Sequence, residues 1–454
     1  MSEREFDIVV IGMGPGAEYV AAELARAGVS VAAVEDRLVG GECPYWGCVP
    51  SKMMIRAADL LAEGRRVPGM AGSSVISPDW TPVARRIRDE ATDNWDDTVA
   101  ADRFTGLGGT LLRGHGVITA PGRVAVGDQV LRARRGIVIG TGSAPAIPPI
   151  DGLAGTPYWT NREAMEAEEV PRSLVVLGGG PVGAELAQVF ARFGSTVTVV
   201  EALDRLLPAE EPESGALLAE TFRAEGIAVL AGVGAASVGH DGREFTVRLA
   251  DGTSARGERL LVATGRRSDL AALGVGAVGL DEGARFLDTD AEMLAAPGVW
   301  ALGDVVGRGA FTHMSMYEGG IILNQLLGRP RHRAEYHAVP RVTFTDPEIG
   351  AVGMTEARAR DRLGVAVQTA LIELPDSARG WIHKAGNRGF IKLVSDAERG
   401  VLVGATSAGP TGGEVLGLLT LAVHAPVPVS RLREMIYPYP TFHRAVEDAL
   451  RQLG

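Results

Sequence analysis

Cys43 and Cys48 are the only cysteines in 454 residues, and they lie five positions apart in GGECPYWGCVPSK, Gly40 to Lys52. A chain of this size needs no structural disulfide, and no Cys/His cluster accompanies the pair to suggest a metal site. In a regular helix, residues i and i+5 lie about 8–9 Å apart at Cα, but a disulfide tolerates less than ~7 Å. Pro44 and Gly47 predict a bend between them. A disulfide there would be strained and easily reduced, which favours a redox role.

The elements that must position this pair begin with two stretches of one pattern: strand, glycine-rich turn, helix, strand, glutamate. The first runs through the strand Phe6 to Ile11, GMGPGA (Gly12 to Ala17), a helix to Ala27, and the strand Val29 to Val34, which ends at Glu35. The second runs through Leu174 to Leu177, GGGPVG (Gly178 to Gly183), a helix to Phe193, and Thr196 to Val200, which ends at Glu201. Two such modules in one chain predict two dinucleotide sites.

Each residue type in these turns has a physical purpose. The first glycine makes the turn, the second lets the backbone approach a pyrophosphate, and a third glycine or an alanine lets helix and strand pack closely. The helix N-terminus offers free N–H groups to the phosphates. Glu35 and Glu201 are expected to accept hydrogen bonds from a ribose.

Further motifs follow other strands. GTGS (Gly140 to Ser143) follows Gly136 to Ile139, ATGRR follows Arg259 to Val262, and in VWALGDV we expect Asp304 to end a strand. The stiff segment PAIPPI (Pro145 to Ile150) predicts a domain boundary. From about Tyr336 the pattern indicates a third domain of α+β type.

Composition limits the function classes. The net charge of −11 and the pI near 5.4 argue against a nucleic-acid binder and against docking on an anionic membrane. The charged N-terminus is not expected to act as a signal peptide, and no apolar run approaches membrane-spanning length. We therefore expect a cytoplasmic protein.

The ordered motifs GMGPGA, GGECPYWGCVPSK, GTGS, GGGPVGAE, ATGRR, ALGD and VTFTDPEIGAVGMTE resemble those of the FAD-dependent pyridine nucleotide–disulfide oxidoreductases, from about Asp7 to Leu450. The family includes lipoamide dehydrogenase, glutathione reductase, mercuric reductase and soluble transhydrogenase. The resemblance implies an α/β fold with two Rossmann-like dinucleotide-binding domains and a C-terminal α+β dimerisation domain. The implied divisions are residues 1–150 for FAD, 151–270 for NAD(P), 271–335 for the return to the FAD or central domain, and 336–454 for homodimerisation.

The resemblance also assigns cofactor contacts residue by residue. FAD is expected at Gly12, Gly14, Pro15, Gly16, Ala17, Glu35, Gly41, Lys52, Gly116, Thr141, Gly142, Ser143, Asp304 and His313. The nicotinamide dinucleotide is expected at Gly178, Gly180, Pro181, Val182, Gly183, Glu185, Glu201 and Gly265. Arg266 is expected to bind one of the two cofactors. Gly116 and His313 are expected to contribute backbone contacts. Because a carboxylate at Glu201 repels a 2′-phosphate, we expect NADH; Arg205, four residues on, keeps NADPH as an alternative.

By the same resemblance, electrons pass from NAD(P)H through FAD to Cys43–Cys48 and on to a small acceptor. Cys48 is the thiolate against the flavin, Cys43 is the interchange thiol, and Lys52 with its partner Glu185 stabilises negative charge on the reduced flavin. The homodimer would share its active site between subunits.

The C-terminal segment departs from the family pattern. Disulfide reductases of the family place a histidine base and its glutamate partner where this chain has Tyr439 and Arg444. Tyrosine is a poor base at neutral pH. Either His443, with Glu447 one helical turn on, replaces the base, or His443 lies on the outer face of a terminal helix; we prefer the second.

The sequence therefore leaves the electron acceptor open. The intact cysteine pair favours a small disulfide. An NAD(P)H:quinone or dye reductase or a transhydrogenase-like enzyme needs no thiol base and is the alternative. The hypothesis that the acceptor is mercuric ion is weakened, because the sequence ends in ALRQLG and has no cysteine pair there.

Overall fold

The computed structural model describes residues 2–453, which form two compact units, each assembled from three stretches of chain. The first unit contains the residues up to Pro50, Arg85–Ala146 and Gly265–Tyr336. The second contains Ser51–Ala84, Ile147–Thr264 and the residues from His337 onward.

The strands, in chain order, are β1 (Ser2–Ile11), β2 (Val31–Glu35), β3 (Thr110–Arg113), β4 (Gly116–Ala120), β5 (Arg123–Val126), β6 (Gln129–Ile139), β7 (Ala144–Pro145), β8 (Ser173–Leu177), β9 (Thr196–Glu201), β10 (Ala228–Ala231), β11 (Ala235–His240), β12 (Phe245–Leu249), β13 (Ser254–Gly257), β14 (Arg259–Val262), β15 (Arg266–Arg267), β16 (Leu294–Ala296), β17 (Val299–Ala301), β18 (Pro340–Thr343), β19 (Glu348–Gly353), β20 (Val367–Glu373), β21 (Phe390–Asp396) and β22 (Val401–Gly409).

The α-helices are α1 (Pro15–Arg26), α2 (Glu42–Tyr45), α3 (Cys48–Arg66), α4 (Thr81–Arg86), α5 (Thr98–Gly106), α6 (Asn161–Met165), α7 (Pro181–Arg192), α8 (Pro212–Ala224), α9 (Leu270–Leu273), α10 (Thr312–Leu326), α11 (Glu356–Leu363), α12 (Ala378–His383), α13 (Gly412–His424), α14 (Val429–Arg433) and α15 (Arg444–Gln452). Short 3₁₀ segments and one π-helical turn, Ile87–Ala91, lie between them.

The first unit is built on a sheet of order β16-β17-β6-β1-β2-β3, in which β4 and β5 form an antiparallel extension of β6. Its centre is parallel: Val10 pairs with Ala33 of β2 and with Val138 of β6. The inner half of β1 reads as a continuous apolar run because both faces of this sheet are covered. Helices α1 and α10 pack against each other within this unit, and their apolar faces join its core.

The second unit contains a parallel sheet of order β10-β9-β8-β14 and a small antiparallel sheet of order β11-β12-β13. Helix α7 connects β8 to β9 and is almost entirely buried, which matches its apolar composition. Both sequence modules thus form the expected strand–helix–strand units. Their boundaries lie within two residues of the predicted ones, except that β1 begins at Ser2, four residues before the predicted Phe6.

The C-terminal part of the second unit is an antiparallel sheet of order β18-β19-β22-β21-β20. Strands β21 and β22 are buried along their whole length, and helices α13 and α15 belong to the same apolar core. Two parallel sheets followed by this α+β module confirm the predicted fold class. Within residues 2–453, none of the helices combines the length and the apolar character that crossing a bilayer requires.

Candidate active site

The cysteine segment folds as two helices with a break between them. Helix α2 ends at Tyr45 and helix α3 begins at Cys48, so the bend lies at Trp46 and Gly47. Gly47 is where the sequence predicts the bend, whereas Pro44 lies within α2. Gly41 precedes α2 with φ +67°, and a Cβ on it would lie 2.9 Å from the Cα of Gly14. The cysteine segment therefore rests directly on the first glycine turn.

Both cysteines are free thiols that share one hydrogen-bonded group. Cys48 Sγ lies 3.3 Å from Thr312 Oγ1, and Cys43 bonds to both of these side chains. The bond from Cys48, together with burial, raises the pKa of the Cys43 thiol above its ordinary value. Cys48 is exposed at the first residue of a 19-residue helix, where the helix dipole stabilises a thiolate. Thr312 was not predicted, since 264 residues separate it from Cys48.

The first glycine turn has the shape of a phosphate cradle. Gly12 has φ +86°, and a Cβ there would lie 2.5 Å from the carbonyl oxygen of Gly140. By contrast, the nearest atom to a Cβ on Gly14, the N-cap of α1, would be 3.9 Å away, which leaves this backbone open to a ligand. Pro15 begins the helix, and Ala17 is buried. Gly16 meets a packing need, because a Cβ on it would lie 2.2 Å from the carbonyl oxygen of Ser315 on α10.

The second glycine turn repeats this construction. Gly178 has φ +108°, and a Cβ on it would lie 2.4 Å from the carbonyl oxygen of Ala263. Around Gly180, the N-cap of α7, there is open space. Pro181 begins α7, and Val182 behind it is partly exposed. Gly183 is required for close packing, since its Cβ would lie 2.0 Å from the carbonyl oxygen of Gly178.

Glu35 and Glu201 are bound in the same way. Glu35 accepts hydrogen bonds from the amide of Met13 at 2.7 Å and from that of Arg37 at 2.8 Å. Glu201 accepts from the amides of Gly179 at 2.6 Å and Leu203 at 2.7 Å. Both carboxylates are buried, and burial raises the pKa of Glu35 although the two amide bonds oppose the shift. Each glutamate thus fixes its own glycine turn, a contact that the sequence prediction missed, and each oxygen keeps a lone pair for a ribose hydroxyl.

A polar group in the first unit connects the GTGS motif to Asp304. Ser143 donates to the carboxylate of Asp304, and Arg266 donates to Ser143 Oγ at 2.7 Å and to its carbonyl oxygen at 2.6 Å. Arg266 also lies 3.5 Å from Asp304 and 3.7 Å from Glu42, the residue before Cys43. The sequence predicts that Asp304 ends a strand, and this prediction is wrong. Strand β17 ends at Ala301, and Asp304 lies on the 3₁₀ turn Gly303–Val306.

This turn is held from behind by Glu318, which is fully buried on α10. Its Oε2 accepts from the amide of Gly303 at 2.6 Å, and its Oε1 accepts from the hydroxyl of Tyr336 at 3.1 Å. Burial raises the pKa of Glu318 to about 7, and the charge of Asp304 adds to the shift. Sequence reasoning missed Glu318 because it follows no motif.

The second unit holds Lys52 in a three-part contact. Lys52 Nζ donates to Glu185 Oε2 at 2.8 Å and lies 4.5 Å from the ring centre of Phe344. Glu185 is buried and also accepts from the amide of Phe344 at 2.8 Å. The predicted Lys52–Glu185 pair is therefore present, and Phe344 joins it without a signal in the local sequence.

The other predicted cofactor residues lie in loops or at element ends. Thr141 and Gly142 follow β6, and the carbonyl oxygen of Gly142 accepts from Ser268 Oγ at 2.9 Å. Gly265 has φ +125° with open space where a Cβ would lie. Gly116 is buried at the start of β4, and His313 stacks on Phe311 at the start of α10.

The C-terminal segment does not form a histidine–glutamate pair. Glu447 binds Arg444 at 2.6 Å and Arg451 at 2.5 Å, both on α15. His443 is the residue before this helix, and Tyr439 is 72% exposed. The arginines thus occupy the carboxylate that His443 would need, which corrects the alternative in which the two act together.

These residues fit two dinucleotides. Open backbone at Gly14 and Gly180, each at the N-terminus of a 12-residue helix and each beside a turn fixed by a glutamate, is what two pyrophosphates require. The Ser143–Asp304–Arg266 group offers hydroxyl, carboxylate and guanidinium to a polar chain. Across the part of the chain that the structure describes, His, Cys, Asp and Glu form no cluster of three or more that could hold a metal.

Comparison with known proteins identifies the family whose models this chain matches. Residues 6–319 match the family model described as pyridine nucleotide-disulphide oxidoreductase. Residues 339–450 match the dimerisation domain of the same family.

Relatives and solved structures resemble the chain over nearly its whole length. A mercuric reductase from Acidithiobacillus ferrooxidans is 34% identical over 96% of this chain and 81% of its own. A dihydrolipoyl dehydrogenase from Chlorobaculum tepidum is 32% identical over 99% and 98%. The Cu(II) complex of the HOCl-induced flavoprotein disulfide reductase RclA from Escherichia coli superposes with a TM-score of 0.87 at 25% identity, covering 99% of both chains. LpdA from Mycobacterium tuberculosis gives 0.85 at 26% identity, covering 100% of this chain and 99% of its own.

Proposed function

Because the chain belongs to the pyridine nucleotide-disulphide oxidoreductases, we propose that Cys43 and Cys48 form its redox-active pair and deliver electrons to a small disulfide. The chain is an FAD-dependent flavoprotein oxidoreductase that uses NAD(P)H. The family assignment, the cofactors and the enzyme class predicted from the motifs are thereby confirmed. The site residues and the acceptor belong to the proposal.

The observation that carries the proposal is the arrangement of the thiols. Cys43, Cys48 and Thr312 share one hydrogen-bonded group, and Gly41 joins this segment to the glycine turn proposed to hold FAD. When bound, FAD supplies the two-electron step between the nicotinamide and the cysteine pair. The protein's residues then carry out thiol chemistry.

The exchange balances in electrons and protons. Two electrons and two protons convert the Cys43–Cys48 disulfide into two thiols. The Cys43 thiolate attacks one sulfur of the acceptor disulfide and releases one thiol. Cys48 then attacks the mixed disulfide at Cys43, which releases the second thiol and restores the protein disulfide. The sum is NADH, H⁺ and a disulfide giving NAD⁺ and two thiols.

The bond from Cys48 and burial raise the pKa of the Cys43 thiol, which lowers the fraction of the attacking thiolate. The thiol must lose a proton before it attacks, and the chain has Tyr439 where relatives place a base. Disulfide reduction is therefore expected to be slow at neutral pH and to accelerate as the pH rises.

A soft metal ion is a second candidate acceptor. Its support is that two thiols lie together, one of them exposed, and that similar proteins are named mercuric reductase or bind Cu(II). Of the two candidate acceptors, the disulfide has the more direct support, because a cysteine pair exchanges directly with a disulfide. Quinone or dye reduction and transhydrogenation have no specific support from the site.

The test is a panel of acceptors assayed with the wild type, Cys43→Ser and Cys48→Ser. Small disulfides, Cu(II), Hg(II), a quinone and a nicotinamide analogue are each supplied with NADH and, separately, with NADPH. Disulfide turnover that both substitutions abolish supports the proposal. Turnover of the quinone alone, unchanged in both variants, would contradict it.

We propose NADH as the preferred reductant. Support comes from Glu201, whose buried carboxylate faces the second glycine turn and disfavours a 2′-phosphate. A cytoplasmic location, where NADH is supplied, is proposed with it. The two reductants in the panel decide the preference.

We also propose that the chain acts as a homodimer with an active site completed by both subunits. The dimerisation-domain match and the exposed apolar side chains of the C-terminal module support this. Ile436 is 94% exposed and Leu421 60%, so both side chains are available for contact with a second subunit. Ile436→Glu is expected to shift the mass in analytical ultracentrifugation to that of a monomer. Val75→Glu, at an equally exposed apolar residue outside that module, is the matched control.

A further inference from the structure

Helix α7 binds the segment Phe344–Asp346 along one face. Glu185, Gln188 and Arg192 follow at i, i+3 and i+7, which places them on the same side of the helix. Glu185 accepts from the amide of Phe344, and Gln188 accepts from the amide of Asp346 at 2.8 Å while donating to its carbonyl oxygen at 2.9 Å. Arg192 donates to the carboxylate of Asp346 at 2.7 Å. Three successive contacts thus fix the register between helix and segment.

Helix α3 joins the same assembly through residues spaced seven apart. Lys52, Asp59 and Arg66 lie on one stripe of the helix. Beyond the Lys52 contact described above, Asp59 accepts from Arg192 at 2.6 Å, and Arg66 donates to Asp346 at 2.5 Å. All of these residues belong to the second unit.

Arg192 is the centre of this assembly. Its side chain is 2% exposed, and it binds Asp59, Glu225 and Asp346. Burial raises the pKa of Asp59 to about 6, although Arg192 opposes the shift. For Arg192 itself, burial disfavours the charge, but its carboxylate partners raise the pKa above the ordinary value. A buried, multiply bonded charge of this kind resists rearrangement because separating any partner leaves an unpaired buried group.

The geometry points to a positioning role: Gln188, Arg192 and Asp346 hold Glu185 and Phe344 so that Lys52 keeps one orientation. Lys52 has a flexible stem and is 36% exposed, so its placement depends on these two partners. Both partners, Glu185 and Phe344, are in turn held in place by the hydrogen bonds that Gln188 and Arg192 make to Asp346. The inference rests on the proposed function only in that Lys52 acts on the flavin.

The chain offers a direct readout of this role, because Lys52, Lys384 and Lys392 are its only lysines. Reductive methylation of the holoenzyme with ¹³C-formaldehyde, followed by peptide mass spectrometry, gives the rate at each lysine. Lys384 is exposed and serves as the internal reference. In Gln188→Leu and in Asp346→Asn, we expect Lys52 to react several-fold faster relative to Lys384, as it should in Glu185→Gln.

The matched control is Glu213→Gln. It removes one carboxylate from another buried charge cluster of the second unit, in which Lys392 binds Glu211, Glu213 and Glu356. This variant should lower the melting temperature and leave the reactivity of Lys52 unchanged. Lys52 protected to the wild-type extent in Gln188→Leu would overturn the inference. Asp346→Asn, which keeps the shape of the side chain, decides the question if Gln188→Leu does not fold.

A second readout separates this inference from the role of Lys52. Lys52→Met should lower the midpoint potential of the bound flavin, and Gln188→Leu should shift it in the same direction. Gln188→Leu should also slow the reduction of the flavin by NADH roughly tenfold, because small displacements of catalytic groups reduce rates on this scale. If Lys52→Met changes neither quantity, the proposed role of Lys52 fails while the methylation result still decides the positioning role.

Discussion

Glu318 should make the free energy of unfolding vary with pH, and the substitution Glu318→Gln isolates its contribution. The carboxylate is fully buried and accepts from the amide of Gly303 and the hydroxyl of Tyr336. Glutamine has nearly the same shape and keeps a carbonyl oxygen for Gly303, but it does not titrate. Any difference in pH dependence between the two proteins therefore reports on this one group.

The magnitude follows from the shift in pKa. Burial raises the pKa of Glu318 from 4.5 to about 7. Between these values the folded protein binds a proton that the unfolded chain has released, so the free energy of unfolding falls as the pH rises. The full loss is ~3 kcal/mol. It is absent below pH 4.5 and complete above pH 7.

Thermal unfolding of the holoenzyme between pH 4.5 and 8 measures this effect. The difference in melting temperature, Glu318→Gln minus wild type, should increase by roughly 5–10 °C as the pH rises across that range, as expected for a unit of this size. Titration of Asp59 and the other carboxylates cancels in the comparison. Two curves that run parallel would refute the assigned protonation of Glu318.

Three further substitutions test other contacts. Arg266→Met removes both bonds to Ser143 and should weaken FAD retention by about tenfold or more, measured by flavin release on dilution; unchanged retention would separate this group from the flavin site. Glu201→Ala leaves the buried amide of Gly179 and the amide of Leu203 without their acceptor, so the KM for NADH should rise by about tenfold or more with a smaller rise for NADPH, measured in steady-state assays; equal changes would dismiss its role in cofactor choice. Lys392→Met should cost ~3–5 kcal/mol of stability without altering the rate of flavin reduction; a slower rate would place its cluster in the electron path.

The local parts of the fold could be predicted from the sequence because their signals are local. Each nucleotide-binding module needs a strand, a glycine turn and an amphipathic helix within about thirty residues, and Gly12, Gly178, Glu35 and Glu201 lie where the pattern places them. The bend at Gly47 was predictable for the same reason.

Contacts between distant segments could not be predicted. Glu185 and Phe344 are 159 residues apart, and no periodicity in the sequence connects them. The strand expected to end at Asp304 stops three residues earlier, where Gly303 takes φ +77° and begins a 3₁₀ turn. The pairing of His443 with Glu447 failed because two arginines at helical spacing compete for the same carboxylate.

The central claim is that Cys43 and Cys48 lie in the electron path, and an anaerobic titration with NADH tests it most directly. If the pair accepts electrons from the flavin, the wild type should take up about two equivalents of NADH per FAD, and Cys43→Ser and Cys48→Ser about one. The wild type should also develop a long-wavelength absorption band that Cys48→Ser lacks. One equivalent in all three proteins, with simple bleaching of the flavin, would contradict the account.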